Sequence, residues 1–353
     1  MDYIKYSHSC GLVHSSLRMR YNLAMESHLS TSQKTSQGQR RAGNLARFDA
    51  PDSGDLYQYL CPIDHQANFA AILGIRCKKT VKGPPILVIH DVGERADMYW
   101  DCMKYLSDHG HSSYSYDQRG HGINADLSGH LDRFQELVSD LLQVASWLRH
   151  LHEGAAPIIV GQGYGAIVAT ELAAKHPQFV TGLVLAAPTL ELAWMPGPFK
   201  RWIIRVLAEL VPRMKVPAGL HPRFSNPMHR VVGRTMATRL IRSLIGPSHL
   251  RLTFAFAREL FEAMDQFGRF FNSIKKPVLI LKPGEDEVAR FDSMDQFAMA
   301  HPDKNRITTR TVANVHHNGF TEGKLPMTSI LSEITTWSEA LVPSHASDNG
   351  PRI

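Results

Sequence analysis

The stretch Pro157 to Ala173, PIIVGQGYGAIVATELA, has the form of a turn built to present a side chain. Ile158, Ile159, Val160 and Gly161 read as a short apolar strand. Gln162-Gly163-Tyr164-Gly165-Ala166 reads as a glycine-punctuated turn, and Ile167, Val168, Leu172 and Ala173 mark the helix after it. Strand, sharp turn and helix in that order is the setting of a G-x-S-x-G elbow, whose serine Oγ attacks an acyl carbon once a histidine takes its proton. Gly161 and Gly165 stand at the outer glycine positions, but the centre holds Gly163 instead of serine. With no side chain there, no acyl-enzyme can form. Tyr164 lies one position round the turn and points elsewhere. Glycine also tolerates unusual φ/ψ without a Cβ clash, so losing the serine relieves strain while abolishing nucleophilic catalysis. Taken alone, GQGYGA is compatible with a phosphate loop, although one such glycine pattern is a weak signal.

A second stretch carries chemistry of another kind. Phe199, Trp202, Ile203, Val206, Leu207, Leu210 and Val211 recur at helical spacing beside Lys200, Arg201 and Arg205. A basic amphipathic helix reads as a membrane-surface element or as a lid over an acyl pocket. The alternative is a helix that packs its apolar stripe on the core and solvates its charged face. Between Lys200 and Leu260 twelve Lys and Arg face only Glu209 and Glu259, although the net charge of the whole chain is +6. The basic character is therefore regional. It carries no aromatic-interleaved nucleic-acid motif, so no nucleic-acid partner is expected.

The elements that position these stretches follow from periodicity. Phe69–Cys77, Pro85–Ile89, Ser113–Tyr116, Gly182–Ala187, Pro277–Leu281 and Ile307–Val312 read as strands. Helices are expected over 98–109, 132–152, 290–300 and 327–341, with Phe134, Leu137, Val138, Leu141, Leu142, Ala145 and Leu148 forming one apolar face. Alternating strands and helices imply a doubly wound, mostly parallel sheet. The chain of 353 residues then divides into a weakly ordered leader (1–55), a core in two parts (56–189 and 273–342), a basic helical cap inserted at 190–272, and a tail (343–353). Cys10, Cys61, Cys77 and Cys102 lack metal or redox spacing, which suits reduced thiols in a cytoplasmic protein. No metal or cofactor is expected, and no run approaches the roughly 18 apolar residues of a membrane span.

Five collinear motifs give the chain a family resemblance. ILVIHDVGER (86–95), YDQRGHGIN (116–124), GHLDRFQELVSDL (129–141), LKPGEDEVA (281–289) and VANVHHNGFTE (312–322) resemble, in order, the conserved segments of the monoacylglycerol lipase and lysophospholipase group of α/β-hydrolases, of serine aminopeptidase S33 type. The resemblance covers roughly Phe69 to Leu341 and implies an α/β-hydrolase fold. It also implies that Asp286 is the triad acid and His317 the triad base, His317 being preferred to His316 because Glu322 then lies five residues on. By the same resemblance Val92 and Tyr164 supply the oxyanion-hole positions, and His90, Asp91 and Trp202 are substrate-binding candidates under a cap that gates an acyl pocket. The family's HG pair reads His90-Asp91 here. A carboxylate at Asp91 would oppose oxyanion stabilisation unless it points to solvent.

Two departures, at Gly163 and Asp91, imply a non-hydrolytic or very weakly hydrolytic homologue that binds an acyl lipid or small hydrophobic ester, with peripheral contact to anionic membranes through the cap. The alternative is an active carboxylic-ester hydrolase, either of divergent mechanism or with its serine lost by engineering or sequence error.

Overall fold

The computed structural model describes residues 46–48, 56–63, 69–77, 80–122, 127–193, 196–217 and 251–341. Most of the expected leader, the middle of the cap (218–250) and the tail lie outside the described residues. Part of the leader is described: Ala46–Phe48 forms β1, which pairs antiparallel with β2 (Leu56–Pro62).

Among the described residues the sheet has nine strands. The others are β3 (Phe69–Ile75), β4 (Ile86–Ile89), β5 (Ser113–Tyr116), β6 (Ile158–Gln162), β7 (Gly182–Ala186), β9 (Val278–Pro283) and β11 (Ile307–Val312), in the order β1-β2-β3-β5-β4-β6-β7-β9-β11. β2 and β3 are antiparallel to their neighbours, and from β5 onward every pairing is parallel. A separate two-residue ladder joins β8 (Glu191–Leu192) to β10 (Ala289–Arg290). The helices are α1 (Trp100–Asp108), α2 (Phe134–Leu151), α3 (Tyr164–Lys175), α4 (Pro198–Leu210), α5 (Phe254–Phe271), α6 (Asp292–Ala300) and α7 (Lys324–Leu341). None is long and apolar enough to cross a membrane.

Side chains alternate across a strand, so each central strand feeds two cores. Leu87, Ile89, Ile159, Leu183, Leu185 and Ile280 face one side, where α2, α3 and α5 cover them. Ile86, Val88, Ile158, Val160, Val184 and Leu281 face the other, against Tyr99, Cys102 and Leu106 and against Met327, Ile330, Leu331 and Ile334 of α7. Parallel strands buried on both faces carry unbroken apolar runs, which is why ILVI, IIV and GLVLA were legible as strands. Two-sided burial fixes β4, β6 and β9 in register, the edge strand β11 pairs parallel with β9, and the carboxyl ends of these four strands deliver four loops to one edge. Ligand chemistry gathers at that edge in open α/β sheets.

Candidate active site

Each loop at this edge carries one component. After β6 the chain turns through Gly163, at φ 54° and ψ −114°, into the first turn of α3. L-residues rarely adopt that conformation. The turn is tight enough that a Cβ on Gly161 would sit 2.5 Å from the Ala166 Cα. After β9, Asp286 accepts the backbone N–H groups of Val288 and Ala289 on Oδ1, at 2.7 and 2.8 Å. Its Oδ2 lies 2.8 Å from His317 Nδ1. After β11, His317 is buried, and Gln162 Nε2 donates to its carbonyl at 2.5 Å. His316, by contrast, is exposed and bonds the Glu285 carbonyl. Glu322 accepts the His316 N–H at 3.1 Å, so it braces this loop without touching the His317 ring.

The fourth loop, after β4, changes the chemistry. Asp91 is buried and its carboxylate turns into the centre. Oδ1 accepts the N–H groups of Val92 and Tyr164, both at 2.7 Å. Oδ2 lies 3.0 Å from His317 Nε2. Those two N–H groups stand at the positions expected of oxyanion donors, and Nε2 at the position expected of the atom that takes a serine proton. A single carboxylate therefore engages all three of these groups at once. The solvent-pointing option for Asp91 is ruled out. The orientation also explains Gly163: a Cβ there would meet Asp91 Cγ at 2.2 Å. Serine and this carboxylate cannot share the space.

The electrostatics agree with the geometry. Burial works against a charged His317 ring. The attraction of and hydrogen bond to Asp286, with the same from Asp91, outweigh it and hold the imidazole up to about 10. Near neutral pH the ring is an imidazolium that donates from both nitrogens, to Asp286 on one side and Asp91 on the other. A general base must be unprotonated to accept a proton, and its pKa should lie near the working pH. His317 meets neither condition.

The surroundings hold Asp91 in place. Glu94, itself buried, accepts the Asp91 N–H at 3.1 Å, the Tyr99 hydroxyl, and Asn318 Nδ2 at 2.8 Å. Burial, then the nearby Asp91 charge, pushes its carboxyl above the ordinary value. His90 lies wholly buried beneath the turn. Its Nε2 accepts the Gln118 N–H at 3.0 Å, so Nδ1 carries the proton and donates to the Asp91 carbonyl at 2.7 Å. Burial keeps this ring neutral, its pKa well below the usual histidine value. Arg119 and Asp140 pair at 2.6 Å and tie the segment after β5 to α2.

Of the expected site residues, Gly163, Tyr164, Val92, Asp91, Asp286 and His317 come together. His90 sits underneath as a support, and Trp202 is not brought to the centre: it is 59% exposed on α4. Sequence reasoning missed Glu94, Gln118, Gln162 and Asn318. Each stands inside or beside a motif already singled out, and that was the available signal. A cavity of about 10 Å³ beside His317, lined by Gln162, Ala186, Leu281 and Val315 among others, has room for a water and not for an acyl chain. Among the described residues no grouping of His, Cys, Asp or Glu is suited to a metal ion.

Comparison with known proteins follows the same lines. The family described as Serine aminopeptidase, S33, matches residues 84–324. An uncharacterized abhydrolase domain-containing protein of Dictyostelium discoideum is 21% identical over 242 residues, which are 67% of this chain and 24% of that protein. The chain thus matches about a quarter of that relative's length. Monoglyceride lipase of Mus musculus is 21% identical over 254 residues, 71% of this chain and 81% of the lipase. Among solved structures, monoacylglycerol lipase of Paleococcus ferrophilus superposes with a TM-score of 0.63 at 19% identity, covering 77% of this chain and 99% of that one. A soluble variant of monoglyceride lipase from Saccharomyces cerevisiae, in complex with a substrate analog, superposes at 0.62 with 16% identity, covering 88% and 99%. At these identities the superpositions establish the α/β-hydrolase fold.

Proposed function

This chain belongs to the Serine aminopeptidase, S33, family, and from that premise we propose that it is a non-hydrolytic, monoacylglycerol lipase-like member that binds an acyl lipid or small hydrophobic ester. The observation that carries the non-hydrolytic reading is the Asp91 carboxylate, bonded to both oxyanion-hole N–H groups and to His317 Nε2. An incoming ester would find no nucleophile, no vacant oxyanion donors and a base already protonated. Removing the serine of a triad alone costs on the order of 10⁶ in kcat. Here the oxyanion donors, the usual source of residual catalysis, are occupied as well. The acyl-ligand half of the proposal draws on the lipase relatives and on the apolar, basic character of the segment between β8 and β9.

A second reading, weak ester hydrolysis by water acting directly, is favoured by one feature: Asp286 still holds His317 at 2.8 Å. Incubating the purified chain with a fluorophosphonate probe and with monoacylglycerols of graded length separates the two. The proposal expects no labelling and no turnover, with saturable binding of a monoacylglycerol. Ester turnover that disappears in His317→Ala would establish the second reading instead.

A further inference from the structure

The acceptor positions of the Asp91 carboxylate are taken unequally. Oδ1 receives the Val92 and Tyr164 N–H groups, both at 2.7 Å, and so uses both of its lone pairs. Oδ2 receives one donor, His317 Nε2 at 3.0 Å, and no second donor reaches it among the described residues. One lone pair of Oδ2 is therefore uncommitted, on a carboxylate held in a fixed orientation by three donors.

A carboxylate so placed is a nucleophile in its own right. What it can attack follows from the bond it would form. Addition to an ester gives an acid anhydride and must expel an alkoxide, a far stronger base than the carboxylate itself, so the step runs backwards and esters stay intact. Displacement at a saturated carbon gives an alkyl ester instead and expels a weak base. A halide suits the site best, because it leaves without a proton, and the acidic N–H of the His317 ring points at Asp91 rather than at a departing group.

The rest of the centre is arranged to hydrolyse such an ester. With Oδ2 alkylated, Oδ1 becomes the carbonyl oxygen and lies on the Val92 and Tyr164 N–H groups, ready to be stabilised as an oxyanion when water adds to Cγ. Alkylation also removes the Asp91 charge, one of the two carboxylate charges that keep the His317 ring protonated. The ring, still oriented by Asp286 at 2.8 Å, can then release its proton and take one from water. The cavity of about 10 Å³ beside His317 has room for that water. Its size and the burial of Asp91 restrict the electrophile to a short alkyl chain.

We propose that Asp91 is a catalytic nucleophile toward small alkyl halides, and that His317 and Asp286 hydrolyse the alkyl ester it forms. In the first step the bond from Oδ2 to carbon forms, the carbon–halogen bond breaks, and the halide leaves with the electron pair. The proton that His317 then releases to solvent balances the halide. In the second step water adds to Asp91 Cγ as His317 Nε2 takes its proton. The tetrahedral centre collapses with cleavage of the Cγ–Oδ2 bond, and the departing alkoxide takes the proton from His317. The new Asp91 carboxyl passes its own proton to His317, which restores the starting pair. Alkyl halide and water become alcohol and hydrogen halide, with no change of oxidation state. The activity requires only this centre and stands whether or not the chain binds an acyl lipid.

The test is incubation of the full chain with bromoethane in water enriched in oxygen-18, followed by bromide assay and peptide mass mapping. The wild type should release bromide with turnover and take up oxygen-18 at Asp91, because the oxygen of the attacking water stays on the carboxylate. Asp91→Asn should lower bromide release by roughly 10³-fold or more. His317→Gln should stop after the first step, with one ethyl ester per chain on the Asp91 peptide. Circular dichroism melts show whether each variant is folded; if His317→Gln is not, oxygen-18 at Asp91 in the wild type decides the matter alone. Bromide release without oxygen-18 at Asp91, or alkylation confined to Cys77 or His316, would overturn the proposal, as would a wild type that releases no bromide and carries no ester.

Discussion

The two halves of the candidate site are filled in different ways. In the acid–base half, Asp286 is held by two backbone N–H groups and meets His317 at 2.8 Å, an arrangement ready to orient an imidazole. In the other half, at the positions expected of a nucleophile and its oxyanion donors, the Asp91 carboxylate occupies the space that a Cβ on Gly163 would need. The first half is intact and the second is filled from within. On the proposed non-hydrolytic reading, a turn without its serine need not leave a hole. A carboxylate from the neighbouring loop satisfies two backbone donors and an imidazolium that would otherwise be buried with fewer partners, and buried polar groups left unpaired are costly.

The comparison is broken most severely by reversing both changes. Gly163→Ser alone should remain unlabelled by a fluorophosphonate, since its Cβ would have to stand 2.2 Å from Asp91 Cγ. Gly163→Ser with Asp91→Gly vacates the space, frees the Val92 and Tyr164 N–H groups and lets His317 deprotonate. Labelling at position 163 should rise by roughly 10³-fold or more over either single variant. Labelling of Gly163→Ser alone at the rate of the double variant would show that Asp91 does not block the site.

Stability gives the next largest effect. Asp91→Ala strands two backbone donors and removes one of the two carboxylates on His317, so denaturant unfolding should show a loss of about 2–4 kcal/mol. A loss under about 0.5 kcal/mol would mean that Asp91 is a bystander.

The pH dependence follows from the raised His317 pKa. A histidine raised from 6.5 to about 10 on folding contributes stability that is complete below its unfolded pKa and is lost as pH climbs through 10. The wild type should therefore lose stability between about pH 6.5 and 10. Asp91→Asn, with one carboxylate fewer beside the ring, should show a flatter decline. Parallel melting curves for the two chains across that range would contradict the ion cluster. Smallest of all, Glu94→Gln should cost about 1 kcal/mol, because burial already raises the Glu94 carboxyl and an amide retains an oxygen for the Asp91 N–H or for Asn318.

Much of this was legible beforehand, because it rests on local pattern. Buried parallel strands announce themselves as apolar runs, as ILVI in β4 and GLVLA in β7 do, and the more polar β5 and β11 also fall on the expected residues. Gly163, Asp286 and His317 were placed by motif. The inward turn of Asp91 was not, since it depends on a fit between two residues 72 positions apart. No local rule says that a missing Cβ on one loop is the space for a carboxylate on another. The α4 stripe was ambiguous for a related reason. Helical spacing gives the angular distribution of apolar residues but not which part of a broad stripe a neighbour covers. α5 covers Ile204 and Ala208, and its Asp265 pairs with Arg201 and Arg205, leaving Phe199 and Trp202 outside. Trp202, expected near the ligand, sits instead on the exposed side of α4. Residues 218–250, which carry five of the region's twelve Lys and Arg, lie outside the described residues.

The central claim is that Asp91 and Asp286 together lock His317 as an imidazolium, and the ring's own titration tests it most directly. Nitrogen-15 shifts of His317 should report both ring nitrogens protonated from neutral pH to about 10 in the wild type, with a fall of the midpoint in Asp91→Asn. A wild-type ring that titrates near 6.5, or a midpoint untouched by Asp91→Asn, would contradict the account.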